Sequence, residues 1–159
     1  MAKRNPARSY PDLHDHLKAL DEAGLLVTVD REINKDTEMH PLVRWQFRGG
    51  IDEKDRKAFL FTNVVDSKGN KFDMPVAVGV LAANREIYAM GMGCKVEEVQ
   101  DRWAHAIANP IPPKEISSDE APCHEIIIEG DDLDKPGNAL DAIPVPISTP
   151  GWDVGPVAT

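Results

Sequence analysis

The distribution of proline divides this chain more sharply than any other feature of its sequence. Of thirteen prolines in 159 residues, nine fall from Pro110 onward. Proline lacks an amide hydrogen and fixes φ, so a segment dense in it sustains neither a helix interior nor a central strand. Residues up to about Ile128 are left to form a compact α/β unit, and the chain beyond is expected to run as an extended arm. That arm closes on residues 141–159, DAIPVPISTPGWDVGPVAT, which stay apolar (Ile143, Val145, Ile147, Trp152, Val154, Val157). A terminus ordinarily becomes polar and frays. This ending predicts a connection into something further.

A chain of this length suits one domain that buries about 70% of its unfolded surface. Apolar residues at 42% and charged residues at 28% are those of an ordinary globular protein. The formal net charge of −9 argues against a nucleic-acid partner, which would call for clustered Lys and Arg. Only residues 1–8 are locally basic (Lys3, Arg4, Arg8), and they read as a disordered, solvated start. No apolar run is long enough to span a bilayer and none follows the basic start, so a cytoplasmic protein without a membrane partner is expected. Cys94 and Cys123 have no CxxC spacing and read as free, buried or incidental thiols.

Within residues 9–129, periodicity and punctuation predict three helices, a further short one and four strands: a small mixed sheet with helices packed on it. Ser9 reads as the first N-cap, Leu13, Leu17 and Leu20 as a buried stripe, and Gly24 as the stop. His14 and His16 project about 200° apart on that helix, cannot share a ligand, and are expected at the surface. Residues 25–30 (LLVTVD) form the first strand. Pro41 fits only a first turn, so the second helix starts near Glu38 or Met39 and turns Met39, Leu42, Val43 and Phe47 inward. Residues 51–57 are a charged loop, 58–65 (AFLFTNVV) a strand, 66–70 a turn with φ > 0 at Gly69, and 76–81 (VAVGVL) a strand covered on both faces. Asn84 caps a short helix through Met90. Residues 95–108 then form the clearest helix, with Val96, Val99, Trp103, Ala106 and Ile107 on one stripe. Residues 123–129 (CHEIIIE) are expected to be the fourth strand.

Chemistry-bearing patterns are few. Gly91-Met92-Gly93 follows a helix and lacks a third glycine, so a helix–helix turn is preferred to a phosphate loop. Residues 66–70 lack the downstream ligands of a calcium loop, and the acidic run 129–134 (EGDDLD) reads as a solvated loop. His105 suits the negative end of its helix. On a strand, Cys123 and His124 would point to opposite faces, a poor metal pair.

Several of these segments together resemble the N-terminal part of the UbiD family of reversible decarboxylases. DLHDHLKALDEAGLLVTVDREIN is similar to the family's opening, AFLFTNV to its second strand, and NREIYAMGMG to the short helix after the third. WAHAIANPIPP, APCHEIIIEGDDLD and the closing IPVPIS and PGWDVGP resemble its connector, final strand and proline-rich approach to the cofactor domain. Only Val157-Ala158-Thr159 departs, where the family tends to a bulky or aromatic residue.

The resemblance implies a longer enzyme acting on aromatic or α,β-unsaturated acids. It would use prenylated FMN as an electron sink, with a divalent metal, typically manganese, and potassium at the cofactor phosphate. It further implies a homo-oligomer, and an acid–base and metal-binding set lying downstream of this chain. No catalytic, cofactor-binding or metal residue is placed on these 159 positions; Arg85, Glu86, His105 and His124 match structural parts of the pattern. The chain is then expected to be an inactive N-terminal portion: residues 9–129 an α/β domain, and residues 130–159 an interdomain arm toward an absent cofactor-binding domain. Its partners would be those downstream domains or a homologous full-length subunit. The alternatives are a short non-catalytic subunit docking on a complete carboxylase, and a free-standing small-ligand domain. The apolar arm also predicts self-association or disorder after about Pro136.

Overall fold

A computed structural model describes residues 12–147; the expectations for Ser9, for the basic start and for the chain from Ser148 lie outside it. Helix α1 (Leu13–Glu22) begins at Asp12, whose carboxylate accepts the Asp15 amide at 3.0 Å and so caps the helix. Gly24, at φ 68°, ends it as expected. Strands β1 (Leu26–Val29) and β2 (Ile33–Asn34) precede helix α2 (Met39–Arg48). Strands β3 (Ala58–Phe61) and β4 (Val64–Val65) follow, then β5 (Lys71–Phe72) and β6 (Val76–Val78). Helices α3 (Arg85–Met92) and α4 (Val99–Ala108) complete the regular elements.

The fold is α/β, of α+β character, with small mixed sheets. The order β1-β3-β6 is repeated by β2-β4-β5: in each, the first pair is parallel and the second antiparallel. The two sheets are thus one three-stranded ribbon bent across its middle. Val29 pairs Phe61 and Ile33 pairs Val64, so three residues of the first strand face two of the central one. The third strand also has one residue too many, since Phe61 pairs Val76 and Val64 pairs Phe72. An extra residue on each outer strand is a bulge, which bends a sheet. The Thr62 amide donates to Val29 O and the Ile33 amide to Asn63 O, both at 3.0 Å, carrying the pairing through the bend. The single expected strand 58–65 is therefore β3 plus β4, and the polar connection after β1 conceals β2.

Apolar residues collect on two sides of the ribbon. Leu20, Leu25, Ala58, Val80, Ala83 and Ile87 join α1 and α3 to the first sheet, with Leu17 packed against them. Ile33, Met39, Val43, Phe61 and Val64 form the second cluster, under α2. Leu13 is half exposed, and His16 takes its place on the buried stripe, correcting its assignment to the surface; its Nε2 lies 2.7 Å from Val80 O. On α2 the inner face is Met39, Val43 and Gln46, while Leu42 and Phe47 point outward.

The expected strand 76–81 stops at Gly79, whose φ of 72° turns the chain, and β6 is a half-buried edge. A Cβ on Gly79 would lie 3.1 Å from that of Ala83, so space and φ both select glycine. Asn84 caps α3, accepting the Ile87 amide at 2.8 Å and donating Nδ2 to Arg56 O at 2.7 Å. Gly93, at φ 64°, caps its C-terminus and makes the expected helix–helix turn, while Gly91 stays within the helix. The last expected helix is a 3-10 turn (Val96–Glu98) leading into α4.

The fourth strand does not form. Pro122–His124 is a 3-10 turn and no neighbour pairs with residues 125–129. Three consecutive isoleucines have high strand propensity, but a strand exists only through its ladder. Beyond it, Gly130–Asp134 and Leu140–Ala142 are further 3-10 turns. Pro144 is buried and residues 145–147 half-buried, so the chain regains cover there.

Candidate docking surface

Polar groups gather most densely where β2 meets α2. Lys35 is buried, its ammonium 2.6 Å from Asp36 Oδ1 and 5.7 Å from the Phe72 ring centroid. Asp36 Oδ2 accepts the Ser67 amide at 3.0 Å, tying the β4–β5 turn to the start of α2. Burial alone would raise the Asp36 carboxyl. The Lys35 hydrogen bond, the Ser67 amide and the Lys35 charge outweigh it and hold the group below its ordinary value. The Asn34 amide at 2.8 Å, opposed by slight desolvation and helped by Arg31, lowers Glu38. Hydrogen bonds from the Asn70 side chain and from the amides of Lys68 and Asn70 lower Asp66. Each carboxylate is occupied in fixing a loop, which is structural work and not acid–base chemistry.

A pH dependence follows. A carboxyl whose folded pKa is depressed adds stability above its unfolded pKa and loses it as pH falls through the folded one. Asp36→Asn is expected to lower the urea midpoint at pH 7. The gap to the parent should narrow progressively below about pH 5, as protonation of the parent removes the same interaction. Equal gaps at pH 7 and pH 3 would refute this assignment.

The residues singled out by sequence do not converge. Arg85 and Glu86 are exposed at the start of α3, where Glu53 accepts the Arg85 amide. His105 lies in the last turn of α4, near its negative end, beside Asn109. His124 is exposed in a shallow cleft, its Nδ1 2.8 Å from Ser118 Oγ and 2.9 Å from Ser118 O. Both cysteines are free; Cys94 is half-buried and Cys123 exposed, so neither is a core thiol. Among the described residues, no three His, Cys, Asp or Glu side chains are grouped to hold a metal ion, and no helix is long and apolar enough to cross a membrane.

What the chain does present is uncovered apolar surface. None of the ten residues of α4 is buried, against the expectation of a packed stripe. Trp103 is 46% exposed, its indole N–H donating to the Tyr88 hydroxyl, and Ile107 is 75% exposed. Ile111, Ile126, Ile127 and Leu140 are each at least two-thirds exposed. Residues 100–143 contain no described side chain that is buried. Ordering a residue costs about 1–2 kcal/mol in backbone entropy, and burying one such aliphatic side chain recovers about 1.5–3 kcal/mol. This stretch incurs the first without the second. Isolated exposed apolar residues are common on proteins; a run of this length makes the stretch a candidate interface.

Charge has the same boundary. Up to Gly93 the chain carries fourteen acidic and fourteen basic residues; residues 94–147 carry twelve acidic and four basic. The sequence held this signal, but the total of −9 concealed it.

Residues 17–107, more than half of the chain, match the family model described as the 3-octaprenyl-4-hydroxybenzoate carboxy-lyase N-terminal domain. The chain belongs to this UbiD family. It is also similar to the UbiD-class enzyme HmfF from Pelotomaculum thermopropionicum. Against an evolved dimeric form in complex with prenylated FMN the identity is 30% and the TM-score 0.67, over 92% of this chain and 30% of that one. Against HmfF in complex with FMN the values are 31% and 0.63, over 91% and 28%. The open form of vanillic acid decarboxylase from Sedimentibacter hydroxybenzoicus shares the fold at 23% identity and TM-score 0.61, over 89% of this chain and 28% of that one. The chain thus spans less than a third of each relative's length.

Proposed function

We propose that this chain is the N-terminal, non-catalytic module of a prenylated-FMN-dependent UbiD-class enzyme, one that reversibly decarboxylates aromatic or α,β-unsaturated acids in the cytoplasm. Residues 9–129 are its α/β domain, and residues 130–159 are an interdomain arm toward the cofactor-binding part. The cofactor, with Mn2+ and K+, belongs to that other part and supplies the electron sink for loss of CO2. The residues of this chain build a rigid ribbon and offer a surface; they hold no proton at a reacting atom. The observation that carries this reading is the coverage: 92% of the chain matches HmfF, yet only 30% of HmfF is matched.

Purified alone, the chain is expected to show no flavin absorbance and no decarboxylase activity. Co-purifying flavin, or turnover of an aromatic acid by these 159 residues, would overturn the proposal.

A further inference from the structure

We infer that α4 and the chain after it form a docking surface for a lysine- and arginine-rich apolar face, provided by the part of a UbiD-class chain outside the matched third. The inference rests on the proposed function and adds to it the place and the chemistry of the contact. Four exposed apolar residues, Trp103, Ile107, Ile111 and Ile126, fall in the segment that holds the excess of carboxylates. The bent ribbon and its helices also expose apolar side chains, Trp45 and Leu81 among them, but there the charges balance and two packed clusters lie beneath, so the two properties coincide in the later segment.

Charge then selects the occupant. A second copy of this chain would bring twelve acidic and four basic residues against the same set, and like charges repel. Nucleic acid and anionic lipid are disfavoured for the same reason. A basic protein face bearing apolar pockets satisfies both halves of the surface. The relatives' length leaves room for such an occupant, because more than two-thirds of each HmfF chain lies outside the match. Ile107 and Ile111 mark the centre of the contact by exposure, at 75% and 88%.

The test co-expresses this chain with the HmfF polypeptide lacking its matched first third, with intact HmfF as a control whose own first third fills the position. A complex with the shortened chain, and none with intact HmfF, is expected. Raising salt from about 0.05 to 0.5 M should weaken the complex, because the Debye length shrinks to a few ångströms. Ile107→Ser with Ile111→Ser should weaken it by about tenfold or more. Leu81→Ser, 64% exposed in the turn before α3, should leave it unchanged. The isoleucine pair is exposed, so circular dichroism of the isolated variant should match the parent. A complex indifferent to the isoleucine pair and to salt would overturn the docking surface and leave the proposed function standing. Equal capture by intact HmfF, or no complex at all, would also overturn the surface. Flavin or activity in the isolated chain would instead overturn the proposed function.

Discussion

Phe61→Ala is expected to lower the stability of this chain by about 3–5 kcal/mol, the usual cost of emptying a fully buried aromatic site. Phe61 is the last residue of β3, with no exposed surface, and it sits where the ribbon bends. From there it packs with Ile33 and Val64 of the second sheet and with Met39 and Val43 of α2. Its ring also stacks on Phe59, the centroids 5.8 Å apart and the planes within 5°. Removing it empties the junction of two strand layers and a helix, and the bulged backbone around it is already committed to the bend. Small domains have about 5–15 kcal/mol in total, so the loss is a large share. With a urea m-value of about 1–3 kcal/mol/M, the midpoint should fall by more than about 1 M. Phe47→Ala is the control. Phe47 is 39% exposed and lies under the Arg56 guanidinium at 5.3 Å, a contact worth about 0.5–1 kcal/mol. Equal losses for the two would show that the bend is not the keystone proposed.

The parts of this fold that were legible in the sequence are those set by local chemistry. Gly24, Asn84 and Gly93 stop or start helices through their own backbone or side-chain geometry, and each does so in the structure. Gly69 supplies φ 86° to the β4–β5 turn for the same reason. What was not legible depends on partners distant in sequence. Residues 125–129 have strand propensity and no ladder, and the stripe on α4 has helical periodicity but meets α3 without burying any of its own residues. In both cases the pattern was read correctly as apolar and wrongly as covered. Those residues are now the candidate surface, so the failure of the packing expectation points to the interface. His16 was missed for another reason: it lies four residues before Leu20 on the same face, but a search for apolar periodicity passes over a polar member of a buried stripe.

Gln46 is the second such residue, and it carries the other large expected effect. Met39, Val43 and Gln46 follow the i, i+4, i+7 spacing of one buried face, which the apolar Phe47 obscured. The Gln46 amide reads the backbone of Lys57 in both directions, Nε2 donating to the carbonyl at 2.8 Å and Oε1 accepting the amide at 2.9 Å. That pair of hydrogen bonds fastens α2 to the residue preceding β3. Gln46→Leu would leave a donor and an acceptor unpaired, at about 1–3 kcal/mol each, so a loss of about 2–6 kcal/mol is expected from denaturation midpoints. Gln46→Glu separates the two bonds. At neutral pH its carboxylate still accepts the Lys57 amide, but it faces the Lys57 carbonyl with no proton to donate. Protonation restores the donor, so the folded-state pKa of this glutamate must be raised, and a raised pKa adds stability as pH falls. The glutamate variant should therefore recover toward the parent between pH 7 and pH 5, whereas the leucine variant keeps its deficit throughout. A glutamate variant that loses ground relative to the parent over that interval would show that the Lys57 carbonyl takes no hydrogen bond from position 46.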